Sequence, residues 1–173
     1  MTPDQHKQFR DRITAIIEKS GHAVIGVGGD GQPSFSYTIG LSRKFGFEVL
    51  VIGLPSNVAT AIFNDVARQE RSPALGVANR QFTTLPVMFQ LCDRDLDVLH
   101  EEYVCQADAY ADQEVPVVQM VLSDREGRLP GEPNFDHAYM GRFQRLFFDP
   151  APCDADSDSD HGCDNSGDGN ERP

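Results

Sequence analysis

Residues 48–54, EVLVIGL, form an almost unbroken run of branched apolar side chains. A strand of that composition belongs near the centre of a sheet, out of contact with water. The rest of the chain has to be arranged around it. Just upstream, Pro33–Leu41 alternates Phe35, Tyr37 and Ile39 against Ser34, Ser36 and Thr38, the period-two pattern of a strand with two different faces. His22–Val27 reads as a further strand, and the glycines between these two supply a hairpin turn. Two more strands are expected downstream, at Leu85–Leu91 and Val115–Leu122.

Helical signals separate the strands. Thr2, Pro3 and Gln5 make a capping box ahead of Phe9, Ile13, Ile16 and Ile17, and Gly21 stops a helix over about residues 3–19. Val58, Ile62, Phe63 and Val66 share one face of a second helix, and Leu96, Leu99, Tyr103 and Val104 share one face of a third, capped by Asp93. The order α-β-β-β-α-β-α-β predicts an α+β fold in a single domain over residues 1–148. It implies a largely antiparallel sheet of about five strands packed by about three helices.

From Asp149 onward the composition changes. Eight acids and one base fall in residues 149–173, so this acidic, low-complexity tail carries −7 of the net −12 and is expected to be disordered. Asp164-x-Ser166-x-Asp168-Gly169 matches the first half of a calcium loop, but the closing bidentate acid would fall beyond the last residue. Both parts of the chain are acidic, which argues against nucleic acid and anionic membranes as partners. No apolar run approaches the roughly 20 residues that span a bilayer. The start MTPDQHKQFRDR has no apolar leader core, and Cys92, Cys105, Cys153 and Cys163 form no C-x-x-C. Reduced thiols and a cytoplasmic location are the expectation.

Gly26, Gly28 and Gly31 spell G-x-G-x-x-G, and Glu48 follows near the distance of a ribose-binding acid. A dinucleotide site requires a helix directly after the third glycine, so that its N-terminal amides face the phosphates. Here Pro33 and an alternating strand follow, and the glycines read as a hairpin loop. His100-Glu101 lacks the second histidine of a zincin helix, since Val104 stands there, and Cys105 lies off the α-helical face of His100. Asp93, Asp95 and Asp97 suit a helix start. No nucleophile–base pair and no metal-ligand set is visible, which leaves open whether the chain catalyses anything. The remaining polar residues in apolar segments are His22, Tyr37, Thr38 and Gln119, with Asp124 and Arg125 after the last strand. Such groups either satisfy one another or line a cleft, and they are the candidate ligand or partner site.

The segments Gly21-His22-Ala23-Val24, Phe35–Leu41 (FSYTIGL), Phe45–Pro55 (FGFEVLVIGLP) and Gln119–Glu132 (QMVLSDREGRLPGE) resemble, in order and spacing, a bacterial family, the domain-of-unknown-function family 4262. The resemblance covers about residues 20–135 and implies a shared compact domain without an assigned chemistry. Phe47, Leu122 and Gly131 stand where members of that family typically carry proline, tryptophan and tryptophan.

Two functional readings follow. The first is a cytoplasmic binding or interaction domain for a protein or small-molecule partner, monomeric or homodimeric, with no cofactor and no metal. The second is a small oxidoreductase-like domain holding a flavin or similar anionic ligand. In it Arg43, Lys44, Arg125 and Arg128 would meet the phosphate, and Tyr37 or Phe45 would cover the ring.

Overall fold

The computed structural model describes residues 2–29 and 32–150. The acidic segment 151–173, with the expectation of a disordered tail, lies outside the described residues, as do Asp30 and Gly31 at the glycine loop. Among the described residues six strands form one mixed sheet: β1 (Ala23–Gly29), β2 (Gln32–Ile39), β3 (Glu48–Ile52), β4 (Ala78–Asn79), β5 (Val87–Leu91) and β6 (Val117–Leu122). Their order is β1-β2-β3-β6-β5-β4. Every pairing is antiparallel except β3 with β6, which is parallel. The α+β reading holds, and the additional strand is the two-residue β4 at the sheet edge.

β3 explains the layering. All five of its residues are buried, so both faces of the sheet need cover. On one face Tyr37, Ile39, Leu50, Ile52 and Val117 pack with Ile13 and Ile17 of α1 (Pro3–Ser20) and with Leu99, Val104 and Ala107. The last three lie on a composite helix: α4 (Leu96–Val98), a π-helical turn (Leu99–Tyr103), then α5 (Cys105–Ala111) after Val104. On the other face Val49, Val51, Val118 and Met120 pack with Ala59, Ile62, Phe63 and Val66 of α3 (Ser56–Arg68). Each fully buried Val, Leu or Ile contributes roughly 1.5–3 kcal/mol. The short helices α2 (Ser42–Phe45) and α6 (His137–Met140) complete the described chain.

The helix expected to be capped by Asp93 starts later. The Asp93 and Arg94 amides both donate to the Phe147 carbonyl, which draws this segment into the packing of the C-terminal strip, residues 141–150. Asp95 takes the N-cap position instead, with left-handed backbone (φ 49°), a region Asp tolerates better than most residues. α1 has the capping box read from the sequence: the Gln5 amide donates to Thr2 Oγ1, and the Thr2 amide donates to Gln5 Oε1.

Candidate functional site

The register separates the residues singled out from the sequence. Tyr37, Leu50 and Gln119 are consecutive partners across β2, β3 and β6, so Tyr37 and Gln119 share a face with one strand between them. Tyr37 is buried among apolar side chains. Burial pushes its phenol well above the ordinary range, and neighbouring Cys105 and Asp108 push in the same direction. Gln119 is fully buried; its Nε2 donates to the Arg145 carbonyl (2.6 Å) and its Oε1 accepts from the Phe147 amide (3.0 Å). It therefore ties the C-terminal strip to the sheet.

Thr38 points to the opposite face and into a different network. Its hydroxyl donates to Glu48 Oε2 (2.6 Å) and accepts from the Val49 amide (2.9 Å). The Glu48 carboxylate, 1% exposed, also accepts from the amides of Gly40 (2.8 Å), Leu41 (3.1 Å) and Ser42 (3.1 Å). Gly40 holds φ 94° with Ile17 pressed against it, so a side chain there meets both backbone strain and steric contact. The YTIGL signature is thus a turn closed around one buried carboxylate. His22, just before β1, is buried with Nδ1 unpartnered among the described residues.

Asp124 organises the loop after β6. Its Oδ1 accepts from the amides of Glu126 and Arg128, and its Oδ2 from the Arg128 guanidinium and the Asp136 amide. Burial alone would raise this carboxyl; the donors, led by the Arg128 and Asp136 amides, outweigh it and hold the pKa below its ordinary value. Arg125 lies over the Tyr139 ring, 3.9 Å from its centroid.

The cations considered for a flavin phosphate fall into two groups. Arg43 and Lys44 precede β3, where the Arg43 guanidinium meets the Tyr110 hydroxyl and Lys44 Nζ donates to the Ala67 and Gln69 carbonyls. Arg125 and Arg128 follow β6, which runs parallel to β3, and so lie at the other end of the sheet.

That second end carries an open cleft of about 480 Å³, beside the C-terminal end of β3. Pro33, Phe35, Ile52, Glu102 and Tyr103 line one part, and Gly141, Arg142, Gln144 and Arg145 line the other. Three local features build it. The π-helical turn, marked by the Val104 amide donating to the Leu99 carbonyl five residues back, carries Glu102 and Tyr103 to the rim. π-Turns of this kind recur at functional sites. Gln144 donates to and accepts from the Leu122 backbone (2.9 and 3.0 Å), continuing the sheet's pairing into the C-terminal strip. An aromatic series runs from Tyr37 to Phe35 (6.4 Å between centroids), on to Tyr103 (4.8 Å) and then Phe147 (5.1 Å).

Two guanidiniums complete the cleft. Arg145 lies over the Phe147 ring (5.2 Å) and pairs with Asp95 (2.7 Å), whose hydrogen bond and charge raise its pKa further. Arg142 is exposed and makes no ion pair among the described residues. An aromatic wall beside convergent guanidiniums can hold a planar, anionic molecule by stacking and paired hydrogen bonds. Arg142 and Arg145 are hidden in the sequence because they are interleaved with apolar residues in MGRFQRLFF (Met140–Phe148), a run that reads as packing. The retrievable signal was the i, i+3 pair Arg142 and Arg145 in an otherwise acidic chain. Among the described residues no group of three or more His, Cys, Asp or Glu is placed to hold a metal, and no helix is long and apolar enough to cross a membrane.

The model of the family described as Domain of unknown function (DUF4262) matches residues 16–136, which include Phe35, Ile52, Glu102 and Tyr103 but end before Arg142. Neither the curated proteins nor the solved structures contain a match to the chain. The chain belongs to the DUF4262 family.

Proposed function

We propose that this DUF4262 member is a binding domain whose cleft at the end of β3 and β6 takes a small ligand with a planar apolar body and an anionic group. The observation that carries the reading is the convergence of Phe35, Tyr103, Arg142 and Arg145 on one cleft of about 480 Å³, a size that suits a small molecule. Pre-formed aromatic contacts supply area, and the guanidiniums select charge and fix orientation. Glu102 stands at the same rim and disfavours ligands with several negative charges. The acidic balance of the chain supports a discrete small anion over a polyanion.

Calorimetric titration with naphthoate, with naphthylmethylamine as its charge-inverted counterpart, tests the reading. Naphthoate is expected to bind and the amine to be rejected. Arg142→Glu should weaken naphthoate by about tenfold or more, as expected for loss of a hydrogen bond to a charged group, with the unfolding temperature unchanged. Equal binding of both probes, or undiminished naphthoate binding by Arg142→Glu, would overturn the proposal.

A further inference from the structure

A second cavity lies on the outer side of the helical layer, between α1 and α5, and is independent of the cleft at the strand ends. It measures about 550 Å³, within the range of small-molecule sites (roughly 300–1,000 Å³). Its floor is apolar: Phe9, Ala109 and the Tyr110 ring form it, and the Cys105 thiol is exposed on its wall. Its charge is unusual for this molecule. His6, Lys7 and Arg10 stand among the lining residues and no carboxylate does, although the whole chain carries −12.

The cations are arranged around the ring. Arg10 and Arg43 approach Tyr110 at 6.0 and 5.5 Å from its centroid, and Arg43 also donates to its hydroxyl (3.2 Å). Arg10 is additionally held by Asp112 (3.1 Å), whereas Lys7 makes no ion pair among the described residues. Gln106, also in the lining, has its amide oxygen buried without a partner, an acceptor facing no donor of the described chain. Apolar floor and cationic rim together specify an amphipathic anion.

We infer that the groove between α1 and α5 is a binding site for a single-chain carboxylate, with its hydrocarbon along Phe9 and Tyr110 and its head group at Lys7 and Arg10. Long side chains such as Lys7 and Arg10 lay apolar stems along the groove and keep their charged ends at its mouth, which suits a ligand of the same polarity pattern.

Cys105 is a built-in reporter. Cys92 is buried, and burial pushes its thiol up to about 12, so it stays unreactive in the folded protein. The test uses the full chain carrying Cys153→Ser and Cys163→Ser, with alkylation of Cys105 by iodoacetamide followed by intact mass. Decanoate is expected to slow the alkylation saturably, and decylammonium to leave it unchanged. Lys7→Glu should raise the half-protecting decanoate concentration about two- to fivefold, the scale of an exposed ion pair, with protection in each variant referred to that variant's own ligand-free alkylation rate. No protection by decanoate, or equal protection by decylammonium, would refute the site. Protection that grows with protein concentration in the absence of any ligand would assign the groove to a second copy of the chain instead.

Discussion

Glu48→Gln is the most demanding test of how the turn after β2 is held. The Glu48 carboxylate takes four donors: the Gly40 and Ser42 amides on Oε1, and the Thr38 hydroxyl and Leu41 amide on Oε2. Glutamine has the same shape but turns one oxygen into a donor. In the better of its two orientations the –NH₂ replaces Oε2. The Thr38 hydroxyl can then rotate and accept, but the buried Leu41 amide is left without a partner. In the other orientation two backbone amides are orphaned. One unsatisfied buried donor costs about 1–3 kcal/mol, and the surviving bonds drop from charge-assisted to neutral strength, a further loss of about 1 kcal/mol each. The expected destabilisation is therefore about 3–5 kcal/mol, or roughly 6–20 °C in Tm for a folded body of this size.

Thermal unfolding followed by circular dichroism at neutral pH measures it directly. Thr38→Val belongs in the same experiment. It removes a donor from Glu48 and the acceptor of the Val49 amide, so the two single losses should not add. A double-mutant cycle should return a coupling of about 1 kcal/mol or more. A Glu48→Gln protein within about 1 kcal/mol of wild type, or a cycle with no coupling, would show that the carboxylate does not hold the turn.

Two further predictions concern single residues. The amide and guanidinium donors hold the Asp124 carboxyl below its ordinary pKa, so its stabilisation is complete above that ordinary value and is lost as pH falls through the lower folded-state pKa. Asp124→Asn should accordingly lower Tm at pH 7 and converge on wild type in strong acid; a gap that stays constant down to the acid limit would refute the assignment. At Gly26 an added Cβ would come within 2.3 Å of Ser56 Oγ and 2.6 Å of Ser56 Cβ. Gly26→Ala should therefore cost about 1–3 kcal/mol in urea unfolding, and Ser56→Gly in the same chain should recover most of it; a neutral single substitution would show that the contact yields.

What the sequence made legible follows from the reach of its signals. Alternation in residues 33–41 marked two faces, and the structure places Tyr37 and Ile39 in one core and Thr38 at the other. The unbroken apolar run marked a central strand, and β3 is buried throughout. Those are local patterns, set by neighbouring residues. The parallel pairing of β3 with β6 joins segments separated by two helical regions and two strands, and no local pattern reports which strands meet over such a distance. The helical stripe was legible only in part. Leu99 and Val104 are both fully buried though five residues apart, a spacing that an α-helix directs to different sides. The π-turn reconciles them, and it brings Tyr103, read from the sequence as part of the same apolar face, both against that core and to the rim of the cleft.

The glycine motif carries the same lesson in its sharpest form. Its two attractive features were the spaced glycines and an acid some twenty residues later. Each has a packing role that excludes the nucleotide one. Gly26 leaves room for Ser56, at the start of the helix Ser56–Arg68, to rest directly on β1, so the surface a phosphate would need is filled by the chain itself. Glu48 is 1% exposed and spends both oxygens on its own turn, so neither is free for a ribose hydroxyl. Pyrophosphate binding needs the third glycine to open a helix. Here the chain leaves the loop as β2, which pairs back onto β1 in antiparallel register, and the helix that does meet the glycine-rich strand arrives only after β3. Strand–turn–strand and strand–turn–helix can share one glycine spelling; the residues after the last glycine decide between them, and in this chain they are Gln32, Pro33 and an alternating strand.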